Sequence, residues 1–309
     1  MMSEKELVSV VMAAYKEKNL YIRRAIESIL NQTYRNFELI IVLDNPENKE
    51  LEGIIWEYVE KDARVKFLIN EKNMGAHETR NRAIRHSCGK YIAIMDADDM
   101  SLGDRLMLQV TAMEERNVDV ISGFVEVMDE NENLIYAMKN LPEKTEDINR
   151  KLRINDCMPH PALMVRKDVY QKLGGYNKVP YGCEDYEFLV RASLKGYKLY
   201  NVPKIILKYR MTMSSLSRNH LYQQYLMMRY CQRKYFDRKE LGDYESFIKQ
   251  YYTPKRAEKY SKAAGCFTEG VRAFSQKKYF RMAGMCLKAV VLSSDYRKKM
   301  FRYVFQLKL

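Results

Sequence analysis

Asp96, Asp98 and Asp99 place three acids in four positions, directly after the apolar run Tyr91-Ile92-Ala93-Ile94-Met95. That run is long enough for a buried strand, and on an extended backbone Asp96 and Asp98, two residues apart, point to the same side. Neighbouring carboxylates repel, and a hard divalent cation such as Mg2+ or Mn2+ relieves the repulsion with oxygen ligands. A diphosphate sharing that ion makes the pair a site for phosphate-linked leaving groups. The competing reading is structural: an acidic turn in which Asp99 or Ser101 caps the next helix. A second acidic stretch, Cys183-Glu184-Asp185-Tyr186-Glu187, opens a segment whose Phe188, Leu189, Ala192 and Leu194 follow helical spacing. Acids there complement the helix dipole, worth about 0.3–1 kcal/mol. His160 stands between Pro159 and Pro161, which pin a loop.

These side chains need elements to hold them. Residues 7–13 read as a continuous apolar strand, as parallel sheets require. A polar loop, 15–19, then opens a helix on Leu20, Ile22, Ala25, Ile26, Ile29 and Leu30. Strands follow at 37–43, 65–69, 91–95 and 118–122, with helices at 49–61, 76–86 and 102–116 between them. This alternation argues for a doubly wound α/β sheet, whose ligands bind at the carboxyl ends of the strands. The first strand ends near Tyr15 and Glu17, the second at Asp44 and the fourth at Asp96 and Asp98, so polar and aromatic groups gather at one edge. Beyond 129–133, a turn, two strands are expected near 198–202 and 205–209, and Gly174-Gly175 ends a helix at 172 or 173. A Gly-x-Gly-x-x-Gly after the first strand and a Walker loop are both missing, which disfavours dehydrogenases and P-loop ATPases.

The chain of 309 residues allows about two domains. Its net charge of +13 lies wholly in residues 220–309, which hold 20 basic against 7 acidic residues and 18 of the 36 aromatic side chains. This break divides residues 1–219 from a basic, aromatic-rich helical region, 220–309. Six cysteines lie far apart without a CxxC pair, as expected of thiols in a reducing cytosol, most of them small buried apolar residues. No run of eighteen apolar residues occurs, and the acidic start of the chain does not read as a secretory leader.

Several stretches resemble, in order, the family 2 nucleotide-sugar glycosyltransferases. They are Val8-Ser9-Val10-Val11-Met12-Ala13-Ala14-Tyr15, Ala25 to Tyr34, Asn73-Met74-Gly75-Ala76 with Thr79-Arg80-Asn81-Arg82-Ala83, and Gly89 to Asp99. The likeness spans about residues 5–215 and implies that residues 1–219 are a catalytic domain, with a donor-binding half at about 1–124 and an acceptor and base half at about 125–219. It implies a GT-A fold, a Rossmann-like, mixed, mainly parallel sheet flanked by helices, with an α-helical C-terminal region after it. It also implies a UDP-sugar donor and a divalent metal, Mn2+ or Mg2+. By this resemblance Asp44 bonds the uracil edge, Tyr15 packs beside the base and Glu17 lies near the ribose. Arg80 lies near the nucleotide, Asp96 faces ribose and metal, and Asp98 is the principal metal ligand. The family more often has a prolyl-valyl-tyrosine after the first strand and two acids with Gly-Ser after the second. Here Ala13-Ala14-Tyr15 and Leu43-Asp44-Asn45-Pro46 stand instead.

The resemblance further makes His160 and Glu184 acceptor-side residues and Arg210 a diphosphate contact. It puts the general base on Asp185, a carboxylate that would take the proton of an attacking sugar hydroxyl. One base opposite a leaving UDP implies displacement with inversion. A Gln-x-x-Arg-Trp motif is missing, so single-sugar transfer is expected rather than polymerisation. The structural readings of these residues are an exposed helix arginine for Arg80, a surface strand arginine for Arg210 and a core histidine for His160.

Helices are expected at 221–236, 255–276, 278–293 and 296–309, with small and aromatic residues between 264 and 289 at helical-hairpin spacing. Residues 294–309, with Arg297-Lys298-Lys299 beside Phe301, Tyr303 and Phe305, form a basic aromatic face. Such a face either lies on an anionic membrane or packs on the protein. No motif supports nucleic-acid binding. The leading expectation is a cytoplasmic glycosyltransferase, peripheral at the inner face of a bacterial plasma membrane, extending a lipid-linked glycan. The alternatives are a non-catalytic nucleotide-sugar sensor or scaffold, and a nucleotidyltransferase releasing pyrophosphate.

Overall fold

The computed structural model describes residues 6–178, 182–211, 220–237, 242–275 and 277–306. The chain divides into two compact units, Met1–Lys178 with Glu184–Met213, and Val179–Cys183 with Ser214–Leu309.

The first unit begins with β1 (Val8–Ala14), α1 (Asn19–Leu30), β2 (Phe37–Leu43), α2 (Lys49–Lys61), β3 (Val65–Ile69), α3 (Ala76–His86) and β4 (Tyr91–Asp96). Every residue of β2 is buried and β1 is nearly so, which explains why both read as apolar runs broken only by Ser9 and Glu38, buried and bonded to each other at 2.5 Å. These four strands are parallel, in the order β3-β2-β1-β4. β5 (Met100–Ser101), α4 (Arg105–Arg116), β6 (Val120–Met128), β7 (Leu134–Met138) and α5 (Thr145–Leu152) follow. A 3-10 turn (His160–Ala162), β8 (Met164–Arg166), α6 (Lys167–Leu173), α7 (Glu184–Leu194) and β9 (Leu199–Arg210) complete the unit. The described residues form one nine-stranded mixed sheet that continues β4-β8-β6-β9-β5, with β7 on β6. β8 runs antiparallel to β4 and β6, while β6 and β9 are parallel.

Several expectations change. Neither Asp99 nor Ser101 caps a helix: α4 starts at Arg105 behind Asp104, and Met100–Ser101 pairs with β9. The strands expected at 198–202 and 205–209 are one strand. Its register slips where Val202 faces Gly123 and Ile205 faces Phe124, so Pro203 and Lys204 bulge without having to donate to the ladder. The strand expected at 118–122 runs from Val120 to Met128. β7 and α5 are additions. Gly174 caps α6 with φ +76°, as its glycine suggested. All six cysteines are free thiols; Cys157, Cys183 and Cys231 are buried and Cys88 is exposed.

In the second unit the described helices are α8 (Leu221–Asp237), α9 (Tyr244–Tyr251), α10 (Pro254–Ser275), α11 (Tyr279–Leu292) and α12 (Ser294–Gln306). α9 is an addition, and residues 276 and 307–309 of the expected helices lie outside the described residues. The tyrosines of this unit form its core: Tyr260 packs on Tyr222, Tyr225 and Tyr296 at centroid distances of 5.3, 5.0 and 5.2 Å. Asp295, in the first turn of α12, accepts from the Tyr222 hydroxyl at 3.0 Å and pairs with Arg256 at 2.9 Å. That turn of the expected membrane-facing segment is therefore packed inside its own unit. No described helix is long and apolar enough to cross a membrane.

Candidate active site

Parallel pairing brings the expected strand ends together. Ala13 of β1 lies opposite Asp96, and Ala14 lies opposite Leu43, one residue before Asp44. Beyond β1 the Glu17 carboxylate turns back to accept from the Tyr15 backbone N–H at 2.8 Å. Burial, with the charge of Asp96 adding to it, raises the Glu17 pKa. Tyr15 is partly exposed, and Lys16 sits 5.0 Å above its ring. Asp44 is buried and accepts from Asn70 at 2.6 Å and from the backbone N–H groups of Met74 and Gly75 at 2.7 and 2.9 Å. Asp44 thus ties down the loop that carries the Asn73-Met74-Gly75 stretch.

The three acids after β4 occupy three environments. Asp96 accepts from Arg80 Nη2 at 2.8 Å. Burial is the largest single influence and pushes its carboxyl up, but the Arg80 charge and hydrogen bond, with Arg105 and other neighbours adding to them, together outweigh it and the net shift is downward. Asp99 is fully buried; one oxygen accepts from the Arg210 backbone N–H at 2.7 Å, and the other has no partner among the described residues. Burial and the charges of Asp98 and Asp96 raise its pKa well above the ordinary value. Asp98 makes no ion pair among the described residues, and its pKa is pushed up to about 7 by burial and then by Asp96 and Glu17.

Two buried arginines lie near this turn, Arg210 bonded to it directly and Arg105 to the strand before it. Arg210 is buried: its Nε donates to the Asp98 carbonyl at 2.8 Å, its Nη2 pairs with Glu132 at 3.2 Å, and its guanidinium stacks 4.0 Å from the Tyr21 ring. The structure puts it behind the acidic turn, with its donors committed to protein groups. Arg105, also fully buried, donates to the carbonyls of Ile94 and Leu163 at 2.7 and 3.3 Å and to Gln109 at 3.0 Å. Burial lowers its pKa to about 10, so it stays charged at neutral pH.

Three consecutive residues of α3 explain the Thr-Arg-Asn stretch. Thr79 accepts from Asn70 at 3.0 Å, close to Asp44. Arg80 reaches Asp96 and, with Nη1, Glu184 of α7 at 3.3 Å. Asn81 donates to the Tyr176 carbonyl at 2.8 Å and accepts its N–H at 2.9 Å. Gly175 has φ +74°, and a Cβ there would sit 2.6 Å from Asn81 Oδ1, so glycine is required. Arg80 is buried rather than an exposed helix arginine.

Asp185 follows Glu184 in the first turn of α7 and keeps partial solvent access. It makes no ion pair among the described residues. Burial, then the charges of Asp156 and Glu184, push its carboxyl up to about 8. Asp156, in the loop after α5, is itself raised to about 6 by burial. The two segments are joined by the Tyr186 hydroxyl, which donates to the Leu152 carbonyl, and by Ser193, which donates to Asn149 at 2.5 Å. His160 is buried, with Nε2 3.0 Å from the Tyr176 hydroxyl, which lies 2.7 Å from the Tyr170 hydroxyl. Burial holds its pKa down at about 3, so it is neutral and part of an aromatic core. Sequence reasoning missed Arg105 and Asp156. Arg105 and Gln109 interrupt the apolar positions Leu106, Val110 and Met113 at one-turn spacing, a legible sign of buried polar work. Asp156 lies in a loop with no periodic signal.

A divalent cation fits Asp98 and Asp96 by donor chemistry: two hard carboxylates at one strand end, with one raised pKa that a cation would reverse. Among the described residues no cluster of three such ligating groups forms, so a cation there would complete its shell with the diphosphate and water.

A mixed sheet with carboxylates at its strand ends and, alongside, a helix with acids in its first turn is the GT-A architecture. A family model, Glycosyl transferase family 2, matches residues 9–174, and the chain belongs to that family. It is 39% identical over 237 residues to the uncharacterized glycosyltransferase MJ1057 of Methanocaldococcus jannaschii, over 75% of this chain and 81% of that one. It is 30% identical over 245 residues to the O-antigen biosynthesis glycosyltransferase WbnJ of Escherichia coli, over 79% and 94% of the two chains. S. aureus TarS 1-349, solved in complex with UDP-GlcNAc, matches with a TM-score of 0.61 over 94% of this chain and 87% of that one, at 17% identity. That last likeness is one of fold. The protein is a glycosyltransferase.

Proposed function

We propose that this enzyme moves one sugar from a UDP-sugar to a hydroxyl of a lipid-linked glycan, with inversion, in surface polysaccharide biosynthesis. The observation that carries this reading is Arg80, whose two terminal nitrogens reach Asp96 at the strand end and Glu184 beside Asp185. One side chain thereby links the donor acids to the helix that offers the base. WbnJ acts in O-antigen biosynthesis and TarS 1-349 binds UDP-GlcNAc, which supports the substrate classes.

In this reading Tyr15, Glu17 and Asp44 line the nucleoside side, Asp44 by holding the 73–75 loop. Asp96 and Asp98 would hold Mn2+ or Mg2+, which when bound offsets the negative charge of the departing diphosphate. Arg210 serves the diphosphate indirectly, by fixing the turn that presents Asp98. Asp185 accepts the proton from the acceptor hydroxyl as its oxygen bonds to the anomeric carbon and the bond to UDP breaks. The UDP oxygen leaves with the electron pair, on the opposite face. A carboxylate with a pKa pushed up to about 8 is a stronger base than an ordinary one. Glu184 positions it, and His160 supports the acceptor side through Tyr176. The reaction belongs at the cytoplasmic face of the membrane, where the basic helical unit would meet anionic lipid.

A screen of nucleotide-sugars with Mn2+ tests this. Metal-dependent UDP release, lost in Asp98→Ala, is expected. Transfer retained in Asp185→Asn would remove the assigned base.

A further inference from the structure

α11 has two apolar faces. One is packed: Ala289 is buried, and Cys286 Sγ, the Met282 carbonyl and Met285 Cβ lie 3.2–3.5 Å from where a Cβ on Gly270 of α10 would sit. The other faces solvent. Phe280, Leu287 and Val291 are 99, 66 and 72% exposed. Their spacings of seven and four residues make one stripe, with exposed Ala283 and Gly284 between them. Arg281 and Lys288, seven apart and exposed, flank the stripe, and exposed Lys277 and Lys278 stand at its start.

Charge decides what covers this face. Between Glu269 and Asp295 there is no acid, while Arg272, Lys277, Lys278, Arg281 and Lys288 are all basic. A second copy packed through the same stripe would bring Arg281 and Lys288 against their own counterparts, which like-charge repulsion disfavours. An anionic lipid surface satisfies both halves of the pattern: the acyl boundary takes the apolar stripe, and the headgroups take the flanking cations. We propose that α11 is a membrane-seating helix whose Phe280, Leu287 and Val291 enter the boundary of an anionic bilayer while Arg281 and Lys288 meet its headgroups. This moves the contact from residues 294–309, whose first turn is packed in the unit core, to the helix before them.

The proposal stands on the helical unit, and its test needs no turnover, so it succeeds or fails independently of the transfer reaction. The full chain is sedimented with phosphatidylcholine vesicles with and without phosphatidylglycerol. Binding is expected to require phosphatidylglycerol and to fall about 10-fold or more in the double variant Phe280→Glu, Leu287→Glu. Lys259→Glu with Lys255→Glu shifts the charge further, outside the stripe, and should weaken binding less than the double variant does. Circular dichroism should show the same helix content in all three proteins. Unchanged binding by the double variant, or no preference of the wild type for phosphatidylglycerol, overturns the proposal. So does a wild-type dimer in sedimentation velocity that Phe280→Glu breaks, since the occupant would then be a second copy.

Discussion

The acids at the end of β4 and those at the start of α7 are built alike and neutralised differently. At the strand end, Arg80 pairs with Asp96 and the Arg210 backbone holds Asp99, while Asp98 between them has no ion pair among the described residues. At the helix end, Arg80 pairs with Glu184, while Asp185 has no ion pair among the described residues and lies near a second carboxylate, Asp156. In each cluster the acid proposed to act forms no ion pair among the described residues, and its pKa is raised to about 7 or about 8. In the proposed reaction the missing charge would come from outside the protein, to Asp98 from a metal ion and to Asp185 as a proton from the acceptor.

The contrast can be broken most sharply at Asp185. Asp185→Asn should lower transfer about 10^2–10^4-fold and leave donor affinity unchanged. An equal loss of UDP binding, measured by calorimetry, would erase the distinction between the two clusters. Asp98→Asn should do the reverse, weakening Mn2+-dependent UDP binding about 100-fold, with chelation of the wild type giving the same loss.

Arg80 belongs to both clusters, so Arg80→Met should harm both. Leaving Asp96 and Glu184 without their partner should cost about 3–5 kcal/mol in urea unfolding. Arg80→Lys should recover only part, since an ammonium cannot span two carboxylates as a guanidinium fork does.

pH sharpens the comparison further. The Asp185 carboxyl must be ionised to act, so transfer should rise with pH through about 8. Asp156→Asn removes a neighbouring charge and should move that midpoint down. The stability effect has the opposite sign. A carboxyl whose folded pKa lies above its unfolded value holds its proton in the folded state, so it lowers stability as pH climbs from about 4 towards 8. Asp185→Asn should flatten that slope in urea titrations at several pH values. The smallest expected effect is Gly175→Ala, about 1–3 kcal/mol, because φ is positive and Asn81 blocks the added methyl.

Much of the donor half was legible because its signals are local. Continuous apolar runs marked β1, β2 and β4, and the residues after each run fell at one sheet edge by parallel topology alone. The second half carries fewer such signals. β7 is exposed and short, β9 hides a bulge behind Pro203, and α5 has only two buried positions. The acids of the site were visible as types, but their states were not. Asp99 reads like Asp98 in sequence, yet Asp99 is fully buried against the Arg210 backbone while Asp98 keeps partial solvent access. Arg80 and Arg210 were legible as cations, whereas their partners, 104 and 78 residues away in Glu184 and Glu132, depend on tertiary packing.

The central claim is that Asp98 serves a nucleotide-sugar whose UDP departs. Phosphorus NMR of the enzyme with UDP-sugars and Mn2+, alongside Asp98→Asn, tests it most directly. The expected result is UDP accumulating only with wild type and metal. Pyrophosphate in place of UDP, or equal UDP release by Asp98→Asn, would contradict it.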